Sequence, residues 1–284
     1  MKINELMRER MTVSYEVFPP KTGMPTEPLM ETLDKIKTLD PDFISCTYGA
    51  GGTNRGRQSE ILRYIGELGI DAMANYTCIG STREYTRALV EEYLGIGVDV
   101  FLALRGDIPK GQTGTEGDFD HGNELIAFLR KSFPELCIAA ACYPEKHLTA
   151  PDMDFEMDVL MMKQEAGADF FVSQLCHDLD NFLRYRDMAA ARGVTLPIDF
   201  GLMPVLAKNA TLSMALSNGC SVPKELAAII GRWGDEPEEF KRAGKEYTVR
   251  QAERLISEGV AGLHIFALNK YDDVADIVRA VGLV

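Results

Sequence analysis

Polar side chains that could do chemistry stand at the ends of several short apolar runs in this sequence. The most informative is Glu16, between Tyr15 and Val17 in the first run. A poorly solvated carboxyl group holds its proton more readily, so Glu16 could act as a general acid near neutral pH. An ion pair with Arg105 is an equally good interpretation. The other polar residues at such ends are Thr47, Tyr48, Asn75, Thr77, Arg105, Asp107, Tyr143, Glu145, His147, Gln174, Asn269 and Lys270.

Eight apolar runs of strand length would position these side chains. Between the runs, apolar residues three and four apart, as at Leu29, Leu33 and Ile36, predict amphipathic helices. Strands and helices that alternate eight times in 284 residues predict an α/β protein, a single (β/α)8 TIM barrel that forms one catalytic domain over residues 1–284. Functional groups of such barrels lie where the strands end. The runs are Val13–Phe18, Phe43–Tyr48, Ala72–Cys78, Val100–Leu104, Cys137–Cys142, Phe170–Gln174, Ile198–Met203 and Leu263–Leu268.

A doubly wound open sheet is the alternative architecture. It is disfavoured because no GxGxxG sequence follows the first run, and no P-loop is present. The glycines at 49, 51, 52 and 56 instead predict a flexible loop after the second strand. The long stretch Met203–Glu246 predicts a helical insertion in the seventh unit. The residues expected to divide it into short helices are Gly219, Pro223, Gly231, Gly234 and Pro237.

The composition argues against some classes of binding partner and some cellular locations. With 43 acidic and 30 basic residues, the net charge of −13 disfavours nucleic acid. No run of about 18 apolar residues is present, and Met1–Met11 lacks the apolar core of a signal peptide, so a cytoplasmic protein without a membrane anchor is expected. Six cysteines without a CxxC pair predict reduced, buried thiols and no metal. A zinc site is the sharper alternative, with the ligands Cys142, His147, Cys176 and His177.

Taken in order, the motifs resemble those of methylenetetrahydrofolate reductase. One tetrapeptide alone would be weak support, but the matches run from the first strand to the last and cover almost the whole chain. The matching segments are Tyr15-Glu16-Val17-Phe18-Pro19-Pro20, Thr47-Tyr48-Gly49-Ala50, Thr77-Cys78-Ile79, Leu104-Arg105-Gly106-Asp107, Tyr143-Pro144-Glu145 with His147, Ala166-Gly167-Ala168-Asp169, Gln174 and Leu268-Asn269.

The resemblance implies a flavoprotein oxidoreductase of one-carbon metabolism and methionine biosynthesis. NADH or NADPH would reduce FAD, and the flavin would reduce 5,10-methylenetetrahydrofolate to 5-methyltetrahydrofolate. Glu16 would be the acid that opens the methylene bridge to an iminium ion. Asp107 would lie near the flavin and the pterin, Gln174 would bind the folate, and Thr47 would lie beside the flavin ring.

The resemblance also assigns the remaining contacts to FAD. Lys163 suits a pyrophosphate as a point charge, although outside the family it would be taken as a solvated helix lysine. The electron donor leaves no short motif, so NADH, NADPH and a partner redox subunit all stay open. A homo-oligomer also stays open, because the sequence does not tell which helix faces are covered. The implied cofactor-binding residues besides Thr47 are Tyr48, Asn75, Arg105, Gly106, His121, Gly122, Tyr143, His147, Glu156 and Lys163.

Departures from the family pattern bear on the cofactor. Asn75 replaces a frequent histidine and cannot titrate, and Glu156 replaces an aspartate. Val159, Met161 and Met162 stand where relatives often carry asparagine and basic residues. The sequence therefore predicts weaker binding of the FAD phosphates.

Other departures fall in the substrate region. Lys208 replaces an aromatic residue after the seventh strand, and Phe266 replaces a tyrosine in the last strand. Loss of a stacking platform weakens ring binding by about 1 kcal/mol. Lys208 and Lys270 could instead bind the glutamate tail of the folate or a nucleotide phosphate.

Three other functions fit the barrel less well. A Schiff-base aldolase needs a lysine inside a strand, and none of the eight runs contains one. A zinc-dependent methyl transferase needs clustered cysteines, whereas Cys220 stands alone. A barrel subunit with weakened or absent flavin binding is favoured by the thinned phosphate contacts, but it would have no need for Glu16 and Asp107.

Overall fold

The structure is a computed structural model that describes residues 2–48, 55–108 and 117–284. The predicted loop glycines at 49, 51 and 52, and the motif residue Ala50, lie outside these ranges. Gly56 was expected in the same loop, but it belongs to a helix that begins at Arg55.

Eight parallel strands close into a barrel in which each strand pairs with its neighbours in the chain and β1 pairs with β8. This confirms the predicted TIM barrel, and every strand lies within two residues of its predicted run. The strands are buried on both faces, as continuous apolar runs require. Their bounds are β1 Thr12–Val17, β2 Phe43–Cys46, β3 Asp71–Thr77, β4 Val100–Leu104, β5 Cys137–Cys142, β6 Phe170–Ser173, β7 Ile198–Leu202 and β8 Gly262–Phe266.

The helices of the described ranges cover the outside of the barrel. In α2, the predicted spacing holds, because Leu29, Leu33 and Ile36 are the buried residues of the helix. Within the described ranges, no helix is both long and apolar enough to cross a membrane. The helices are α1 Ile3–Glu9, α2 Glu27–Lys37, α3 Arg55–Glu67, α4 Arg83–Gly95, α5 Gly122–Ser132, α6 Met153–Glu165, α7 Leu179–Arg192, α8 Lys208–Asn218, α9 Lys224–Trp233, α10 Pro237–Ser257 and α11 Tyr271–Ala280.

Helix α1 closes the N-terminal end of the barrel. Its Ile3 and Met7 are buried in one cluster with the first residues of β2, β4, β5 and β6, among them Phe43 and Phe170. The rings of Phe43 and Phe170 meet edge to face with centroids 6.2 Å apart. The N-terminal end is therefore filled with apolar side chains, and the opposite end is left for a site.

The seventh unit contains the predicted insertion, made of α8, α9 and α10. Two details of the prediction are wrong. Gly231 does not end a helix, because α9 continues to Trp233, and the helix after Pro237 is long, with 21 residues. Helices α9 and α10 share a small core of their own around Leu226, Phe240 and Tyr247. This second core is separate from the main core of the barrel.

Gly201 tests how tightly the barrel interior is packed. A Cβ atom there would overlap the carbonyl oxygen of Ser173. It would also lie 2.9 Å from a ring carbon of Phe266. We expect Gly201→Ala to lower the free energy of unfolding by about 1–3 kcal/mol through overpacking. Gly66→Ala in α3 is the matched control, because its Cβ would meet no atom within 4 Å and should stabilise by about 0.5–1 kcal/mol. Urea denaturation measures both, and two equal effects would contradict the packing argument.

Candidate active site

A cavity of about 580 Å³ opens at the C-terminal end of the barrel. The apolar side chains of Leu102, Leu104 and Val172 form part of its lining, and α8 contributes Met214 and Asn218 to its wall. The site prediction placed functional groups at the strand ends, and the structure brings many of them together here. The predicted residues that line the cavity are Glu16, Thr47, Tyr48, Asn75, Gly106, Asp107, Tyr143, Gln174 and Phe266.

Glu16 lies on β1 at the floor of the cavity. Its Oε2 accepts a hydrogen bond of 2.8 Å from the side-chain amide of Asn75 and a longer one of 3.5 Å from Ser45. The side chain is 18% exposed, so the carboxyl group reaches the cavity while most of it is enclosed. Arg105 is engaged elsewhere, because its Nε donates to the carbonyl of Gly106 at 3.1 Å. The ion pair weighed for Glu16 is therefore not the arrangement found.

Beneath Glu16 the barrel interior holds a polar network that the motifs did not reveal. The ring of His264, on β8, lies with Nε2 3.3 Å from Ser45 Oγ and Nδ1 2.7 Å from Ser14 Oγ. Ser14 in turn donates to Asp199 Oδ2 at 3.1 Å. His264 stacks on Phe43 and meets Phe266 edge to face. The network thus connects the general-acid candidate to a second carboxyl group.

A second group of predicted residues lies beside the cavity, on the β5 side. Lys163 Nζ donates to the carbonyl of Ala141 at 2.7 Å and lies 5.4 Å from the ring centre of Tyr143. The Tyr143 ring meets His147 edge to face at 4.9 Å. The backbone N–H of His147 donates to Glu156 at 3.1 Å, and Glu156 Oε1 is buried without a partner in the described chain. These residues form one continuous patch.

Burial tunes the charges of this patch. Burial lowers the pKa of Lys163. Glu156 and Cys142 act to raise that pKa, and Arg105 acts to lower it further. Burial raises the pKa of Glu156, and Lys163 opposes this shift. The pKa of His147 is lowered by burial and by the cations Arg105 and Lys163. Lys163 and Arg105 therefore act on the same small volume as positive charges, which suits an anionic ligand.

Gln174 is held in one orientation at the cavity wall. Its Oε1 accepts from the backbone N–H of Leu175 at 2.8 Å, and its Nε2 donates to Asn218 Oδ1 at 3.0 Å. Asn218 is fixed in turn by its bond to the carbonyl of Met214. The amide of Gln174 can still offer one N–H and one lone pair to a ligand.

The loops after β2 and β4 contribute backbone as well as side chains. Gly106 has φ +89°, where a Cβ would lie 2.8 Å from a methyl of Ile79, so the turn before the exposed Asp107 favours glycine. Tyr48 is buried and its hydroxyl lies 3.2 Å from that of Tyr85. Thr47 donates its backbone N–H to Val17, which ties the β2 end to β1.

Besides Arg105 and the patch residues His147, Glu156 and Lys163, four more predicted residues lie outside the cavity lining. His121 precedes α5 with an exposed side chain, and a Cβ on Gly122 would contact the backbone of Arg105. Lys208 begins α8 and pairs with Asp235 at 3.1 Å. Lys270 is exposed before α11.

The six cysteines are all free, and five are buried. No described group of three or more histidine, cysteine, aspartate or glutamate side chains is arranged to hold a metal ion. The zinc set of Cys142, His147, Cys176 and His177 is therefore not assembled.

One feature of the sequence could have revealed the interior polar residues that the motifs missed. Ser14 and Glu16 stand two apart in β1, as do His264 and Phe266 in β8, so each pair shares one face of its strand. Polar residues inside otherwise apolar strands indicated an interior network. Which of them would meet depended on the closure between β1 and β8.

The fold defines a (β/α)8-barrel protein, and the candidate active site lies at the C-terminal end of the strands, where such barrels carry their functional groups. A sequence profile described as "Methylenetetrahydrofolate reductase" matches residues 2–282. The chain belongs to the methylenetetrahydrofolate reductase family and is an oxidoreductase. This sets aside the aldolase and methyl transferase interpretations.

The relatives agree with this membership. The chain is 31% identical to the 5,10-methylenetetrahydrofolate reductase of Pectobacterium carotovorum, with 98% of this chain and 92% of that protein covered. The Escherichia coli enzyme of the same name is 29% identical, with 96% and 92% covered. Methylenetetrahydrofolate reductase 1 of Schizosaccharomyces pombe is 32% identical over the whole chain, which spans only about half (49%) of that protein.

A solved structure shares the fold. It is an uncharacterized protein from Clostridium thermocellum, described as binding two copies of 5-methyl-5,6,7,8-tetrahydrofolic acid. It superposes with a TM-score of 0.68 at 16% identity and covers 98% of both chains.

His177, in the loop after β6, gives a pH prediction for this end of the barrel. Burial lowers its pKa from 6.5 to about 4, against a smaller raising effect of Glu145. The folded chain keeps the ring neutral where the unfolded chain protonates it, so stability is lost as the pH falls from 6.5 towards 4, by about 1.4 kcal/mol per pH unit. We expect His177→Gln to flatten the fall in unfolding free energy between pH 7.5 and pH 5. The exposed His121→Gln is the control, and a His177 variant with the wild-type slope would contradict the assignment.

Proposed function

We propose that this chain converts 5,10-methylenetetrahydrofolate to 5-methyltetrahydrofolate with Glu16 as general acid, FAD as resident cofactor and NADH or NADPH as donor. The carrying observation is a mostly enclosed carboxyl group that reaches an open cavity, in a chain of this family. The Clostridium thermocellum protein, which is described as binding the methylated folate, supports a folate ligand on this fold. The free cysteines favour a cytoplasmic enzyme.

The reaction needs a proton at one defined atom. To open the five-membered ring of the substrate, the bond from the methylene carbon to the leaving nitrogen must break, and that nitrogen must gain a proton. The carbon then becomes an iminium that a hydride reduces to methyl. Glu16 supplies the proton, and Asn75 fixes the carboxyl oxygen Oε2 by a 2.8 Å hydrogen bond, which orients the acid towards one face of the cavity.

The residues beside the cavity fit a flavin dinucleotide. Asn75 Oδ1 is buried and without a partner in the described chain, so it can accept a hydrogen bond from a ring N–H. Glu156 Oε1, equally unpartnered, can accept from a sugar hydroxyl, and Lys163 and Arg105 can hold the phosphates. When bound, the flavin supplies two-electron hydride chemistry. The phosphates would have few polar partners, because Val159 and Met162 offer no polar atoms.

Other residues orient the folate. Gln174, locked by Asn218, presents one donor and one acceptor, which matches the edge of a pterin. Asp107 stands at the mouth, where a carboxylate can accept from an amino group of the pterin and stabilise developing positive charge. Phe266 offers an apolar surface, while Lys208 would have to leave Asp235 to reach a glutamate tail, and Lys270 is free of that restraint.

One observation favours a second candidate, a barrel subunit with weakened flavin binding. On α6, Phe155 and Met162 are each 49% exposed, and Val159 is partly exposed between them. The helix thus shows an apolar stripe beside the patch proposed for the phosphates.

The visible absorbance spectrum separates the two candidates. The purified chain would be loaded with FAD, desalted and scanned. A retained flavin spectrum that bleaches with NADH or NADPH and recovers with methylenetetrahydrofolate supports the reductase and identifies the donor. A colourless protein that forms no methyl product supports the subunit.

Glu16→Gln tests the general acid. Glutamine keeps the shape and the bond to Asn75 but cannot give up a proton. We expect flavin reduction by the donor to stay nearly unchanged, and the folate half-reaction to slow by about 100-fold or more. Stopped-flow absorbance at the flavin band measures each half-reaction. Equal slowing of both would contradict the assignment.

Lys163→Met tests the phosphate contact and keeps an unbranched apolar side chain beside Tyr143. A charged hydrogen bond contributes about 1.5–3 kcal/mol, so the FAD dissociation constant should rise by about tenfold or more. The exposed Lys131→Met on α5 is the matched control. Flavin fluorescence titration measures both, and unchanged affinity for the Lys163 variant would return this residue to an ordinary helix lysine.

A further inference from the structure

Five polar side chains form one continuous hydrogen-bond path through the barrel, here called the buried proton path. It begins at Asp199 on β7, passes through Ser14, His264 and Ser45, and ends at Glu16. The successive distances are 3.1 Å, 2.7 Å, 3.3 Å and 3.5 Å. The path joins β7, β8, β1 and β2, which are neighbours in the closed sheet.

The burial of these groups leaves the path one opening. Asp199, Ser14, Ser45 and His264 are all 0% exposed. Glu16 alone, at 18% exposure, reaches the cavity. A proton can therefore enter or leave the path through Glu16 and nowhere else among its members.

A count of donors and acceptors shows that the path can hold one extra proton, at any one of three positions. Each serine hydroxyl can donate only once, and a neutral imidazole has one N–H. If Asp199 is ionised and accepts from Ser14, a neutral His264 donates from Nδ1, Ser45 donates to Nε2, and Glu16 must hold the proton. If Asp199 holds the proton, every bond reverses and Ser45 donates to an ionised Glu16. An imidazolium that donates to both serines is the state between them.

The surroundings allow Asp199 to hold the proton near neutral pH. Burial raises the pKa of Asp199 to about 7, although His264 and the bond from Ser14 lower it. Asp42, which pairs with Arg10, adds a smaller raising effect. The groups that face Glu16 are Asn75, Ser45, His264 and the buried thiol of Cys46.

We propose that Asp199 is a positioning residue that stores the proton of Glu16 and returns it through Ser14, His264 and Ser45. The proposal rests on the general-acid role of Glu16. The proton held by Asp199 first moves to Glu16: the Asp199 O–H bond breaks, each proton on the path moves one step, and a Glu16 O–H bond forms. Glu16 then protonates the leaving nitrogen, so that its O–H bond breaks and an N–H bond forms. After product release, a solvent proton that binds Glu16 reloads Asp199 by the same steps in reverse.

The direct test is a carboxyl-carbon NMR titration of the whole chain, with no substrate or cofactor. Asp199→Asn and Glu16→Gln assign the two signals. In the wild type we expect the two carboxyl groups to titrate as a coupled pair, each reporting two steps. Ser45→Ala and Ser14→Ala interrupt the path without touching either carboxyl group, and each signal should then show one step. Thr248→Val, which removes a buried hydroxyl of α10 that makes two hydrogen bonds, is the matched control and should keep the coupling.

Turnover gives a second readout. Asp199→Asn keeps the shape of the side chain but cannot release a proton. We therefore expect folate reduction above pH 7 to fall about tenfold, which is the change that one pKa unit makes in a proton equilibrium. Flavin reduction by the donor should be unchanged. In mixtures of light and heavy water, the wild-type folate step should depend on several protons and the variant on one.

The outcomes separate this proposal from the proposed function. Independent one-step titrations in the wild type, or an Asp199 variant with wild-type rate and isotope dependence, would overturn the proton path while leaving the reductase intact. Coupled titrations that Ser45→Ala abolishes, in a chain that makes no methyl product, would support the path and overturn the reductase. If Asp199→Asn does not fold, the serine variants decide.

Discussion

A carboxyl group has to be kept beneath the mouth of a barrel from which water is largely excluded, and most of the site depends on how this is achieved. Desolvation of a carboxylate is costly unless donors replace the lost water. For Glu16 the replacements are the amide of Asn75 and the hydroxyl of Ser45, which come from β3 and β2. The acid is thus held by neighbouring strands of the sheet itself, and not by mobile loops.

One end of the barrel is packed with apolar side chains that stabilise the fold, and the other end carries the candidate site. At one end, α1 and the first residues of the strands pack in an apolar cluster. At the other, the insertion of the seventh unit brings Asn218 against Gln174. Helices α9 and α10 of the same insertion pack around a core of their own, with Leu226, Phe240 and Tyr247.

Much of the fold followed from the sequence, because strands buried on both faces read as continuous apolar runs and their C-terminal ends meet in space. Glu16, Asp107 and Gln174 could be placed at the cavity for that reason. His264 and Asp199 could not, since their partners are set by strand pairing between distant parts of the chain. Lys208 was expected at the ligand, but its ammonium group pairs with Asp235, which is not among the residues that line the cavity.

The pairing of β1 with β8 also has a consequence for folding. Ser14 and His264 are 250 positions apart, and so are the strands that carry them, which makes their meeting one of the most costly loop closures in the chain. Contacts of this sequence separation form late and slowly compared with helices and neighbouring strands. An incompletely closed barrel would already have most of its helices and a cavity wall, yet it would lack the ring that joins the two carboxyl groups. On the proposal above, the route from Asp199 to Glu16 is complete only when the sheet closes, so we expect a partly folded form to hold Glu16 without its link to the second carboxyl group.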